Sequence, residues 1–132
     1  MQNLTIVTYH YVRPIKKSSY PLIKGLELES FKIQLDYLEK NYKIITMESL
    51  INFAKNSAQL PDSPCLLTFD DGYKDNLLYA LPILEKFEVP ALIYITTNFL
   101  ELNVNLWWHE LMETIQNRST INFNYERQNF AN

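Results

Sequence analysis

Cys65-Leu66-Leu67-Thr68-Phe69-Asp70-Asp71-Gly72-Tyr73 is the stretch that decides how this chain is read. A short apolar run leads into two adjacent carboxylates and then a glycine. The run has the length and composition of a buried strand. Gly72 permits a sharp backbone turn at its end. Two neighbouring carboxylates repel one another, so at least one needs a cation, a metal or a proton nearby. Acidic side chains in that position point to chemistry. The competing reading is a turn in which one aspartate caps a following helix.

Outward from this stretch, the chain alternates strand and helix. Residues 4–9 are β-rich, and His10-Tyr11-Val12-Arg13-Pro14 ends that strand before a long loop over 14–25. Phe31, Leu35 and Leu38 fall at helical spacing and predict a helix over 29–40, with Ser30 as N-cap and Asn41 as its stop. A short strand is expected over 42–45. Thr46 is placed to cap a second helix running to Lys55, with Glu48 in its first turn. Residues 56–64 read as a loop and 65–69 as the third strand. A helix over 75–87 carries Leu77, Leu81 and Leu84 on one side, and Pro82 is expected to kink it or to mark a weak hydrogen bond. Pro90 precedes a fourth strand over 91–95, and a helix follows over 106–116. The final dozen residues have no clear period. The alternation predicts an α/β fold, a parallel sheet with right-handed crossovers and flanking helices. Residues 65–69 and 91–95, as continuous apolar runs, read as central strands.

In such folds functional groups gather at the carboxyl ends of strands. His10, Asp70-Asp71 and Thr96-Thr97-Asn98 all fall there. Arg13 reads as a loop surface charge, with contact to acidic or acetylated groups as the alternative. His109, in Trp107-Trp108-His109-Glu110-Leu111, has no histidine partner at ligand spacing and reads as a packing or helix-surface residue. The two tryptophans read as packing residues, with stacking on a sugar ring as the alternative.

Composition bounds the class. With 132 residues the chain is one domain, and a 47% hydrophobic content supports a core. The balance of 12 basic and 15 acidic residues, with no basic cluster, argues against a nucleic-acid binder. The single cysteine, Cys65, excludes an internal disulfide and reads as a buried apolar residue. No run approaches the length of a membrane span. The N-terminus reads as a strand rather than a leader, so a cytoplasmic location is expected.

Thr68-Phe69-Asp70-Asp71-Gly72 resembles the first motif of the polysaccharide deacetylase family, the NodB-homology or family-4 carbohydrate esterases. Tyr9-His10, the 30–41 helix followed by Thr46-Met47-Glu48-Ser49-Leu50, and Pro82-Ile83-Leu84 with Val89-Pro90-Ala91-Leu92-Ile93-Tyr94-Ile95 extend the likeness across residues 4–100. The resemblance implies a deformed (β/α) barrel that removes N-acetyl groups from amino-sugar glycans with a divalent metal, zinc being the expected ion. It implies Asp70 as general base and Asp71 as metal ligand. His10, Tyr73 and Asn98 are expected to line the substrate. The family's later histidine pair, His-Ser/Thr-x-x-His, is absent from this sequence, and a whole barrel of this kind needs ~200 residues. The expectation is therefore an N-terminal portion, residues 1–132, of a deacetylase domain, with strand edges open to self-association. The alternative is a non-catalytic remnant that binds glycan or a protein partner. A phosphatase of the haloacid-dehalogenase type would place aspartates at Asp-x-Asp-Gly spacing, which Gly72 breaks.

Overall fold

A computed structural model describes residues 3–100, 106–118 and 120. Four parallel strands form one sheet: β1 (Thr5–Tyr9), β2 (Lys43–Ile44), β3 (Pro64–Phe69) and β4 (Leu92–Ile93). β1 lies along the whole of β3, from Thr5 opposite Cys65 to Tyr9 opposite Phe69. The other edge of β3 is divided. β2 takes its start, with Ile44 opposite Cys65, and β4 takes its end, with Ile93 opposite Phe69. The backbone follows this division: Ile45 N–H donates to Cys65 O and Tyr94 N–H to Phe69 O, while Asp70 N–H turns the other way to Tyr9 O. The sheet is open among the described residues.

Every residue of β3 is buried, as a strand paired on both edges and covered on both faces must be. Cys65, Leu67 and Phe69 enter the larger core with Phe31, Leu35 and Leu38 from helix α1 (Leu28–Asn41). Leu66 enters a smaller one with Ile45 and Leu60, against which Met47 and Leu50 of α2 (Met47–Asn56) pack. On that second face the strands are only partly covered, and Ile6 is 55% exposed. Thr8 and Thr68 meet there through a hydroxyl pair at 2.9 Å.

Three local elements depart from expectation. α1 starts earlier than expected: Glu27 is its N-cap residue, and Ser30 lies within the first turn. Thr46 does cap α2, its hydroxyl accepting from Ser49 N–H. The helix after the carboxylates is not uniform. A π-turn over Asn76–Ala80 precedes α3 (Leu81–Lys86), with Leu81 N–H reaching Asn76 O. Pro82 has no N–H and its ring crowds the carbonyl four residues back, so a widened turn just before it relieves the clash. The extra residue rotates the face, so Asn76, Ala80, Ile83 and Leu84 are buried and Leu77 is 63% exposed. β4 is shorter than expected and peripheral, pairing only with Thr68 and Phe69 at the end of β3. Ile93, Tyr94 and Ile95 are exposed, where a central strand was expected.

A short helix α4 (Thr97–Leu100) follows β4, and α5 (Trp107–Asn117) is the last described helix. Trp107 is 67% exposed rather than packed. The final dozen residues lie outside the described residues.

Candidate active site

The turn after β3 carries the site. Asp70 is fixed by its N–H bond to Tyr9 O, so its position follows from the β1–β3 register. Asp71 and Gly72 then both adopt left-handed backbone, at φ 69° and 64°. For glycine this is free, whereas for Asp71 it costs about 1–2 kcal/mol. Such strain in a non-glycine residue recurs at functional sites. A Cβ on residue 72 would lie 3.3 Å from Ile95 Cγ1 and 3.4 Å from Ile95 Cα, so the chain beyond β4 also requires glycine there.

His10, at the end of β1, brings Nε2 to 3.7 Å from Asp70 Oδ2, too long for a hydrogen bond and open to solvent. Tyr73 follows Asp71 and Gly72 at the same turn. Burial first, then hydrogen bonding to Tyr11 and Asp71, pushes its phenol well above the ordinary tyrosine range. Its ring stacks on Tyr11 at 4.2 Å. His10, Asp70, Asp71 and Tyr73 are thus brought together at adjoining strand ends. Asn98 is exposed on α4, past the end of β4, and no hydrogen bond joins it to the others among the described residues.

A second group lies beside the first and was not apparent in the sequence. Arg13 is a buried residue, not a surface charge. Its Nη2 donates to Tyr20 O and Ile23 O, and its Nε lies 3.5 Å from Asp75 Oδ2. Burial raises the Asp75 carboxyl, and the Arg13 and His109 charges pull it back. Tyr11 ties α5 into this group. Its hydroxyl accepts from Trp108 Nε1–H at 3.1 Å and lies 3.1 Å from His109 Nε2. Burial, then the Arg13 charge, lowers the His109 value, with Asp75 opposing. The loop carrying Arg13 lies against Tyr11 because residue 25 is glycine: a Cβ there would meet Tyr11 Cβ at 2.9 Å. Leu26 N–H donates to Tyr11 O nearby. The available signal was an offset: Tyr11 and Arg13 follow one strand end as Tyr73 and Asp75 follow another.

Asp70, Asp71 and His10 are the ligating side chains at the turn. Among the described residues no group of three His, Cys, Asp or Glu side chains is placed to hold a metal ion. The residues described here therefore do not form a metal site by themselves.

The polysaccharide deacetylase family model matches residues 57–123, half of the sequence and the whole carboxylate turn. The chain belongs to the polysaccharide deacetylase family. Solved structures agree with that membership. The chain is similar to a de-N-acetylase from Aggregatibacter actinomycetemcomitans, with 22% identity and a TM-score of 0.65 over 77% of this chain and 40% of that one. It is similar to IcaB from Ammonifex degensii, with 29% identity and a TM-score of 0.60 over 72% of this chain and 39% of that one. The Streptococcus pyogenes deacetylase PplD, solved with acetate, matches at 22% identity and a TM-score of 0.63 over 85% of this chain and 52% of that one. No curated protein matches the sequence. This member of the polysaccharide deacetylase family thus spans about two fifths to one half of those structures. It shares their arrangement of parallel strands flanked by helices. No helix among the described residues is long and apolar enough to cross a membrane.

Proposed function

We propose that the chain is the N-terminal part of a barrel-type domain that hydrolyses N-acetyl groups on amino-sugar glycans, with Asp70 as general base. The observation that carries this reading is the Asp70–Asp71 turn, held at the strand ends with the Asp70 carboxylate open to solvent, in a chain of the deacetylase family. In the proposed step Asp70 takes a proton from water as the water oxygen bonds to the acetamide carbonyl carbon. Collapse of the tetrahedral adduct breaks the C–N bond. The proton passes to the departing amine, and acetate and a free amino sugar result. His10 and Tyr73 border the carboxylates and are assigned to the substrate. Asn98 is assigned there on its place past the end of β4 alone.

Asp71 is assigned as one ligand of a divalent metal, zinc by family likeness, with the remaining donors outside the described residues. The full chain, assayed for acetate release from chitooligosaccharides, is expected to lose on the order of 10²–10⁴-fold in rate with Asp70→Asn. Asp71→Asn is expected to weaken zinc or cobalt binding as well. Unchanged turnover in both variants would falsify the assignment of roles.

Among the described residues no three ligating side chains converge, and the second reading is a non-catalytic glycan or protein binder. Sugar binding with no acetate release at any metal concentration supports that reading instead. We also propose self-association through β4, where Ile93 and the following Tyr94 and Ile95 are exposed. Light scattering on the eluting peak is expected to give a mass above the monomer's 15.6 kDa, rising with concentration. A monomer throughout removes the proposal.

A further inference from the structure

Beside the carboxylate turn lies a cleft of about 370 Å³ that the proposed hydrolysis leaves without a role. It is bordered by the loop after β1, by residues 73–75 and by α5, and Tyr11, Tyr20, Tyr73 and Tyr79 line it. Tyr73 lies two residues beyond Asp71 at the carboxylate turn and stacks on Tyr11. The cleft and the carboxylates therefore share a wall. Its volume falls in the lower part of the roughly 300–1,000 Å³ range of small-ligand sites.

The charges of this cleft are unbalanced. Arg13 and Asp75 offset one another at 3.5 Å. His109, its value lowered by burial and by Arg13, adds little charge at neutral pH. Lys17 and Lys74 remain, both exposed, and neither has a carboxylate partner among the described residues. Two unpaired ammonium groups thus border an aromatic cleft on a chain whose net charge is −3. Exposed lysines more often have no ligand. Here they flank a cavity lined by tyrosines, which pack against sugar rings through apolar faces and offer hydroxyls at the edge. A neutral ring would use the tyrosines and leave both cations idle.

We propose that this cleft is a subsite for an anionic sugar unit, bearing a carboxylate or a phosphate, next to the acetylated unit at Asp70. The proposal rests on the deacetylase reading only for what occupies the neighbouring position. The tyrosine-lined wall holds the ring, with Tyr20 and Tyr79 beside the stacked Tyr11–Tyr73 pair, and Lys17 and Lys74 meet the anionic group as mobile point charges.

The test is calorimetric titration of the full chain at low salt with matched sugars. The carboxylate arm compares N,N′-diacetylchitobiose with a disaccharide of glucuronate and N-acetylglucosamine. The phosphate arm compares N-acetylglucosamine with its 6-phosphate. An acidic sugar is expected to bind roughly tenfold tighter than its neutral counterpart, the size expected of two charge contacts at a partly exposed site. The advantage should shrink as salt rises. A Lys17→Ala/Lys74→Ala double variant is expected to abolish the preference with an unchanged circular dichroism spectrum. The arm that shows the preference identifies the anionic group. Equal binding of acidic and neutral sugars, or a preference that survives in the double variant, overturns the subsite. Binding is read without turnover, so the two proposals fail separately. An inactive protein that prefers acidic sugars keeps the subsite and loses the hydrolase; an active one without preference does the reverse.

Discussion

Two facing pairs of side chains bridge the same two stretches of chain and behave as opposites. His10 and Asp70 face one another at 3.7 Å with side chains 54% and 36% exposed. Arg13 and Asp75 meet at 3.5 Å with side chains 7% and 21% exposed. The open pair can reach a substrate and contributes little to stability, because water screens it. The enclosed pair has lost its water, and each member depends on the other. Where carboxylates are read as catalytic from sequence, the difference that matters is which of them the fold leaves accessible.

The sharpest way to break this contrast is to remove one member of each pair. Arg13→Ala is expected to cost about 3–5 kcal/mol, since it strands Asp75 and leaves Tyr20 O and Ile23 O without their donor. His10→Ala is expected to stay within about 0.5 kcal/mol of the parent. Urea unfolding of both variants checks this, and a similar loss in each would erase the distinction. Next in size is Gly72→Ala, expected to cost about 1–2 kcal/mol by placing an alanine in left-handed backbone. The added methyl also presses on Ile95, so acetate release should fall with stability. A silent substitution would mean that the turn is not tightly held.

The smallest effect is one of pH. His109 is held below its ordinary 6.5, so above 6.5 it is neutral whether folded or not and adds no pH dependence. As pH falls through 6.5 the unfolded chain takes up a proton that the folded chain resists, and stability drops until the folded value is reached. Arg13, Asp75, Tyr11 and Tyr20 surround the ring. Asp75, whose value is raised above 3.8, acts in the opposite sense, easing folding as it takes up a proton in more acid solution. His109→Gln is expected to flatten the decline in melting temperature just below pH 6.5. An identical slope in parent and variant would remove His109 as its source.

The elements that could be read in advance are those with one local cause. The apolar run of β3, the spacing of Phe31, Leu35 and Leu38, and the Thr46 cap each carry their signal within a few residues. What was missed depends on distant partners. β4 pairs with only the end of β3, on the edge whose start β2 takes, which an apolar run at 91–95 cannot reveal. The inward turn of Asn76 follows from the π-turn before Pro82. In the site, Asp70 and Asp71 stand out as adjacent carboxylates at a strand end. Arg13 does not, because its burial is created by backbone carbonyls of the following loop, by Asp75, and by Tyr11, over whose ring it lies at 4.9 Å. Tyr11 and His109 are 98 residues apart in the chain and meet only in the folded protein.

Because β3 is shared by every other strand, the thiol it carries becomes a reporter. Cys65 is the chain's single cysteine, it has no accessible surface, and burial pushes its thiol away from the reactive thiolate. It sits where β1 and β2 both pair with β3. Fraying at β4 or local opening at the carboxylate turn leaves it covered. Reaction with a thiol reagent therefore waits for the sheet itself to come apart, and its rate times that one event.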